Sequence, residues 1–250
     1  MIVRDYMTSD VVHVEIPGSR DDVLKILKRT GISGVPVIKN KKIVGIITRK
    51  DLLRKPEEIQ LGLLMTPKPI TIEPDMNVRE AARILVTRRI RRLPVVEGGH
   101  LVGLLSVADL MHALSKLKIK DEIKDKYTSM TFALWEETPL PVVGRVMEIS
   151  GVDAIPILDA ENRLQGIISE RDLIRSSSIE DSVGVSDFSN GTDDDEWTWE
   201  SIRDTHTISF GISKVQLPNR PVKLAMVKNV IAVPPNAEVS ECASRCAVHG

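Results

Sequence analysis

Short branched apolar runs, separated by turn residues and one helical stripe, divide the first 58 residues into five elements. Val11-Val12-His13-Val14 is β-branched and apolar, which predicts a strand. Pro17-Gly18 predicts a turn. Ser19 is placed to cap a helix whose apolar positions Val23, Leu24, Ile26 and Leu27 keep a helical period up to Gly31. Val35 to Ile38 predicts a second strand, Asn40-Lys41 a tight turn and Ile43 to Thr48 a third strand. Asp51-Leu52-Leu53 opens a second helix. The order is strand, helix, strand, strand, helix.

The same pattern returns twice. Val35-Pro36-Val37-Ile38, Gly45 to Thr48 and Asp51-Leu52-Leu53 match Leu93-Pro94-Val95-Val96, Gly103 to Ser106 and Asp109-Leu110-Met111. They also match Ile155-Pro156-Ile157-Leu158, Gly166 to Ser169 and Asp172-Leu173-Ile174. Met7, Met65 and Tyr127 stand equally far before Pro36, Pro94 and Pro156. A fourth start at Met226, with Val230 to Val233 and the helix-like run Val239 to Val248, ends at Gly250, which aligns with Gly31 and Gly151. The expected organisation is repeat one over 1–58, repeat two over 59–118, repeat three over 119–178, an insertion over 179–213, and an incomplete repeat four over 214–250. A truncated chain or an unseen tail would account for that incomplete end.

A unit of this size buries too little surface to be robust alone. Pairing sheet against sheet is therefore expected, giving modules over about 1–118 and 119–250. The fold class is α+β, with tandem repeats paired into two pseudo-two-fold modules. The insertion carries the acidic run Asp193-Asp194-Asp195-Glu196, read as a solvated loop, and Trp197 and Trp199, one of which could dock on the module. Thr205 to Phe210 could add a strand.

Composition removes several function classes. Lys and Arg number 34 against 35 Asp and Glu, so no global field favours nucleic acid or a membrane. Aromatic residues are only 3%, too few for a stacking platform for single strands. No apolar run approaches the ~20 residues that span a bilayer. The N-terminus has no signal-peptide pattern, so a cytoplasmic location is expected. Cys242 aligns with Val23, Ala81 and Val143, and Cys246 with Leu27, Leu85 and Met147. Both cysteines are thus read as core residues rather than metal ligands. No nucleophile–His–carboxylate set, metal spacing or P-loop is present, which argues against an enzyme.

The chemistry sits in three hydroxyl-x-x-Asp segments at strand-to-helix junctions: Thr48 to Asp51, Ser106 to Asp109 and Ser169 to Asp172. As capping boxes they would satisfy orphan helix amides. As a ligand site they would offer a helix N-terminus to phosphate and a carboxylate to a ribose diol. The pattern leaves both open.

These repeats resemble cystathionine-β-synthase (CBS) domains, and the chain resembles an archaeal-type protein with four of them in tandem. The resemblance rests on Met7-Thr8 and Met65-Thr66, the hydrophobic-Pro strands, the Gly-x-x-hydroxyl-x-x-Asp ends and the repeat period. It implies a regulatory Bateman module whose clefts bind AMP, ADP, ATP or an S-adenosylmethionine-type ligand, with no covalent cofactor and no metal. By matching positions, one cleft would use Thr48 and Asp51 with Thr66 and Ile70. The other would use Ser106 and Asp109 with Thr8 and Val12. Arg49 within the first motif, and Ser169, Arg171 and Asp172 in the third, complete the candidate set together with Arg92. Arg92 stands two residues before its proline, where phosphate-binding relatives often carry a base. Repeats one and three have Gly34 and Ala154 at that position. Arg88 and Arg89 are read as facing water, and Trp135 as packing in the core or between modules rather than stacking on a base. Self-association through the CBS helices is expected, between modules of one chain or as a homodimer. The regulated protein is unknown, and neither membrane nor nucleic acid is expected as partner. The competing reading is an interaction scaffold with empty clefts and purely structural caps.

Overall fold

The computed structural model describes residues 1–117, 119–128, 131–188 and 206–249. Repeat one follows the expected order: β1 (Val14–Glu15), α1 (Arg20–Thr30), β2 (Gly34–Lys39), β3 (Lys42–Thr48) and α2 (Arg49–Arg54). The hydroxyl of Ser19 accepts from the Asp21 amide at 3.1 Å and starts α1, and Gly31 ends it in the left-handed region at φ 69°. The expected first strand shrinks to two residues, because only Val14 and Glu15 pair with β2, at Val37 and Ile38. A short helix, α3 (Leu61–Leu64), leads into β4 (Thr66–Pro67). Repeat two continues through α4 (Val78–Arg88), β5 (Arg92–Glu97), β6 (His100–Ser106) and α5 (Val107–Ser115). Repeat three holds β7 (Leu134–Trp135), α6 (Leu140–Ser150), β8 (Ala154–Leu158), β9 (Leu164–Ser169) and α7 (Glu170–Ser176).

Three opening segments are lent to a neighbouring repeat. Thr66 of repeat two pairs with Ile46 of β3, completing a sheet of order β1-β2-β3-β4. Thr8 of repeat one pairs with Leu104 of β6 through amide–carbonyl bonds of 3.0 and 2.9 Å. Val227 pairs in the same way with Ile167 of β9. The cores follow this exchange. Leu61 and Leu64 are buried with Val23, Leu27, Val35, Val37, Ile47 and Leu52. Val3 is buried with Ala81, Leu85, Leu93, Val95 and Leu105. Val222 is buried with Leu140, Val143, Met147, Ile155 and Ile168. Each repeat thus keeps its own core but completes it with residues from a neighbouring segment, which answers the shortage of buried surface in so small a unit.

A glycine marks each crossing. A Cβ on Gly45, Gly103 or Gly166 would collide with Met65, Met7 or Met226 respectively. At Gly166 it would also stand 2.7 Å from the Val227 carbonyl oxygen, which cannot move without breaking the pairing. Gly166→Val is therefore expected to destabilise the chain by about 1–3 kcal/mol and to detach the C-terminal segment. Thermal unfolding checks this, and an unchanged midpoint would contradict the exchange at β9.

The helices of the two halves pack on each other. α7 contacts α1 and α2, α6 contacts α2, and α5 lies along α8 (Val239–His249). Of the two arrangements expected for self-association, the one within a single chain is present. Ala243 is buried and Cys242 half-buried, but Cys246 is exposed rather than a core residue. The run 230–233 forms no strand. Trp135 is 56% exposed, against its expected packing role, because its two-residue strand lies at the edge of the β7-β8-β9 sheet.

The insertion departs most from expectation. Its flanks form an antiparallel hairpin, β10 (Ser178–Phe188) with β11 (His206–Gln216), in unbroken register from Ser178↔Gln216 to Phe188↔His206. The strand expected over Thr205 to Phe210 thus forms part of a longer one. The acidic run 193–196, Trp197, Trp199, Thr205 and Gly250 lie outside the described residues. The hairpin root docks on repeat one. Val215 is buried in its core, and its amide donates to the Pro56 carbonyl at 2.8 Å. Fully buried Arg20 donates to the carbonyls of Pro56 at 2.8 Å and Ser213 at 2.9 Å, to the Ser213 hydroxyl at 2.9 Å and to Asp21.

Candidate functional site

All three hydroxyl-x-x-Asp segments are complete capping boxes. At α2 the Oδ2 of Asp51 accepts from the Thr48 amide and hydroxyl, both at 2.7 Å. At α5 the Oδ2 of Asp109 accepts from the Ser106 amide at 2.7 Å and hydroxyl at 2.6 Å. At α7 the Oδ2 of Asp172 accepts from Ser169 at 2.9 and 2.6 Å. One oxygen of each carboxylate thus holds its helix start. The Oδ1 of Asp51 and of Asp109 makes no hydrogen bond to the described residues, and both side chains are half-buried. Asp172 differs: it is only 4% exposed, beneath the α7 contacts with α1 and α2.

The strand exchange decides what stands beside each box. Thr66 pairs two residues before Thr48, and Thr8 pairs two residues before Ser106. Of the sequence-predicted sets, Thr66 is thus brought beside the Thr48–Asp51 box and Thr8 beside the Ser106–Asp109 box, while Ile70 and Val12 lie four residues further along the exchanged openings. The corner at α7 receives Val227 in place of a threonine.

The sequence pattern singles out Val12 and Ile70 but not Phe132 and Ile231. Val12, Ile70, Phe132 and Ile231 occupy the same position of the repeat, and all are exposed, at 40%, 40%, 39% and 46%. An apolar residue that faces solvent at the same place in every repeat is more informative than one such residue alone. The signal was present as a column of apolar residues, but only burial separates such a column from core.

Charge gathers where repeats one, two and three meet. Arg49 is buried, donates to the Gly31 carbonyl, and leaves its Nε without a partner. Arg171 donates to the same carbonyl at 3.3 Å. Arg92 donates to the Ser33 hydroxyl across the repeat boundary, with its buried Nη1 unpartnered. Exposed Arg91 pairs with Asp153 at 2.7 Å. Burial, reinforced by neighbouring guanidinium groups, lowers Arg49 and Arg92 to about 10. Both therefore stay charged at neutral pH. Burial and then the Asp153 carboxylate push Glu170 above the usual range. Arg88 and Arg89 are exposed, as expected. Among the described residues no group of His, Cys, Asp and Glu could hold a metal ion, and no helix is long and apolar enough to cross a membrane.

Three tandem repeats, exchanged openings and boxed strand–helix junctions define a repeat-built α+β architecture. The chain belongs to the CBS-domain family, whose model matches residues 3–58, 59–116 and 127–178. Protein MJ1225 of Methanocaldococcus jannaschii is 23% identical over 197 residues, 69% of each chain. Its crystal structure superposes with a TM-score of 0.76 over 100% of this chain and 90% of that one, at 19% identity. A conserved protein from Pyrococcus horikoshii gives a TM-score of 0.61 at 25% identity, over 100% of this chain and 88% of the other. An inosine-5'-monophosphate dehydrogenase of Korarchaeum cryptofilum is 35% identical over 111 residues, 44% of this chain but only 23% of that enzyme. The chain likewise spans 43% of M. jannaschii protein MJ0188. The likeness to the dehydrogenase is confined to its CBS portion.

Proposed function

We propose that this chain is a ligand-sensing regulatory protein. It binds adenosine-containing nucleotides, of the AMP, ADP, ATP or S-adenosylmethionine type, at the corners between exchanged repeats and passes the bound state to a partner protein. In this reading residues 214–250 act as an incomplete fourth repeat. The observation that carries it is the carboxylate oxygen left over in the Asp51 and Asp109 boxes, each beside the threonine of an exchanged opening, with an exposed apolar residue, Ile70 or Val12, four positions further along that opening. Helix capping requires neither feature. Val12 and Ile70 would form the platform for the base, and the free oxygens of Asp51 and Asp109 would accept from the ribose hydroxyls. Asp172, being buried, is assigned a cap only. The bound ligand would shift the arrangement of repeats through unequal affinity for two states.

The scaffold reading is supported by one fact: every box is complete without a ligand. Thermal unfolding with AMP, ADP, ATP, S-adenosylmethionine, methylthioadenosine and GTP separates the two. At 100 times its dissociation constant a ligand stabilises by about 2.7 kcal/mol, or roughly 5–10 °C in a chain of this size. A rise with an adenosine compound and none with GTP is the expected result. No rise with any compound would favour the scaffold.

A further inference from the structure

Repeat one grips the hairpin of β10 and β11 at its root, and the backbone there fixes what the rest of the ribbon offers. In an antiparallel pair, successive residues turn their N–H and C=O alternately toward the other strand and toward the outer edge. The Val215 amide bonds to Pro56 rather than to Ile179 opposite it, so Ile179 and Val215 form an outward-facing pair. The unbroken register carries the alternation along the ribbon. Asp181, Val183, Gly211 and Ser213 therefore also turn their backbone groups outward. The Ser213 carbonyl agrees, since it accepts from Arg20 at 2.9 Å.

The two edges are used unequally. On β11, repeat one already takes the Val215 amide and the Ser213 carbonyl. On β10, the outward groups of Asp181 and Val183 make no hydrogen bond to the described residues. An unpaired strand edge is a template for another strand. Both side chains are exposed, Val183 at 71%. They share one face with Gly211 and Ser213, and the four line a groove of about 390 Å³. A Cβ on Gly211 would meet nothing within 4 Å, so the groove is open beside Val183. Charge marks the edge as well. Glu180 has Lys214 opposite it, but Asp181 faces Ser213 and has no base across the ribbon.

We propose that the outer edge of β10 docks an extended segment of a partner protein. The segment adds as a third strand, with a basic residue opposite Asp181 and an apolar residue, two positions away and hence on the same face, opposite Val183. Main-chain bonds to Asp181 and Val183 supply affinity, and the groove and the carboxylate select the side chains. A second copy of this chain fits worse. Pairing β10 with itself would gather Glu180 and Asp181 of both copies on one small sheet, and like charges there destabilise. The proposal is independent of the nucleotide-sensing reading.

Fluorescence anisotropy of a labelled peptide, Thr-Val-Thr-Lys-Thr-Val-Thr, with the full chain tests it. The peptide reads alike in both directions, so either strand polarity is served. Its counterpart with glutamate in place of lysine is expected to bind at least about tenfold more weakly, the loss of one charge-assisted contact. Val183→Pro removes an outward amide and no inter-strand bond, a place where an edge strand tolerates proline. It should weaken the lysine peptide about tenfold, and Asp181→Lys should reverse the preference between the two peptides. Hydrogen exchange at the Val215 amide reports whether the hairpin of each variant is still docked. Failure of the parent chain to bind the lysine peptide, equal affinity for the two peptides, or undiminished binding by both docked variants overturns the proposal. Parent dimers in analytical ultracentrifugation that Val183→Pro dissociates would assign the edge to a second copy and overturn it too. No nucleotide enters these measurements, so the nucleotide-sensing reading stands or falls separately.

Discussion

Asp51→Asn combined with Asp109→Asn is expected to abolish nucleotide binding while the chain stays folded. Combined Asp51→Ala and Asp109→Ala should abolish binding and also lower stability. The difference follows from the two oxygens. In each box Oδ2 accepts from the backbone and hydroxyl of the cap residue, and Oδ1 makes no hydrogen bond to the described residues. An asparagine can keep its carbonyl oxygen on the cap amide and present an uncharged amide outward. Alanine loses both functions, at a cost of about 0.5–2 kcal/mol for each helix start. A ribose diol facing an ionised carboxylate forms charge-assisted bonds worth about 1.5–3 kcal/mol each. Losing two of them weakens a site by at least about a hundredfold. Titration of AMP and adenosine into both variants, with thermal unfolding in parallel, measures the two effects separately. Parent-like binding by the asparagine variant would remove the ribose assignment and leave the boxes as caps.

Arg20→Ala is expected to be the most destabilising single change, by about 3–5 kcal/mol. The guanidinium is fully buried and holds the carbonyls of Pro56 and Ser213, the Ser213 hydroxyl and Asp21. Alanine would take the guanidinium donors from those acceptors, leaving the Pro56 carbonyl only the Val215 amide, and open a cavity beneath the hairpin root. For a chain of this size the loss corresponds to about 6–20 °C. Arg20→Met, which refills the volume without supplying donors, should recover only part of it. Hydrogen exchange at the Val215 amide, bonded to Pro56, reports whether the hairpin has left repeat one. An unchanged midpoint with a protected Val215 would show that Arg20 does not hold the hairpin.

Arg20 also shows how far the amino-acid pattern could be read. In repeat register it aligns with Val78, Leu140 and Val239, so a charged residue stands where the other copies are apolar. A cation in the first turn of a helix opposes the helix dipole, and nothing local explains it. Its partner Ser213 is far along the chain. The departure was visible, but its reason lay in a contact that no local pattern encodes. Trp135 gives the converse case. A large aromatic ring suggests burial, yet it sits on a two-residue edge strand and stays exposed.

The candidate site divides along the same line. Its hydroxyl and carboxylate groups were legible because they lie three residues apart at a strand–helix junction, where local geometry alone brings them together. The strand, helix, strand, strand, helix order was legible for a similar reason: helical and extended periods, caps and turn residues act over a few positions. Folding in three dimensions decided which opening segment completes which sheet, that the insertion forms a hairpin docked on repeat one, and that Asp172 is buried while Asp51 and Asp109 are not. It also decided that Arg92 leaves the strand neighbour of Ser106 for the space left by Gly34. These outcomes depend on exclusion of space and desolvation between residues distant in the chain, and such effects exist only once the repeats have packed.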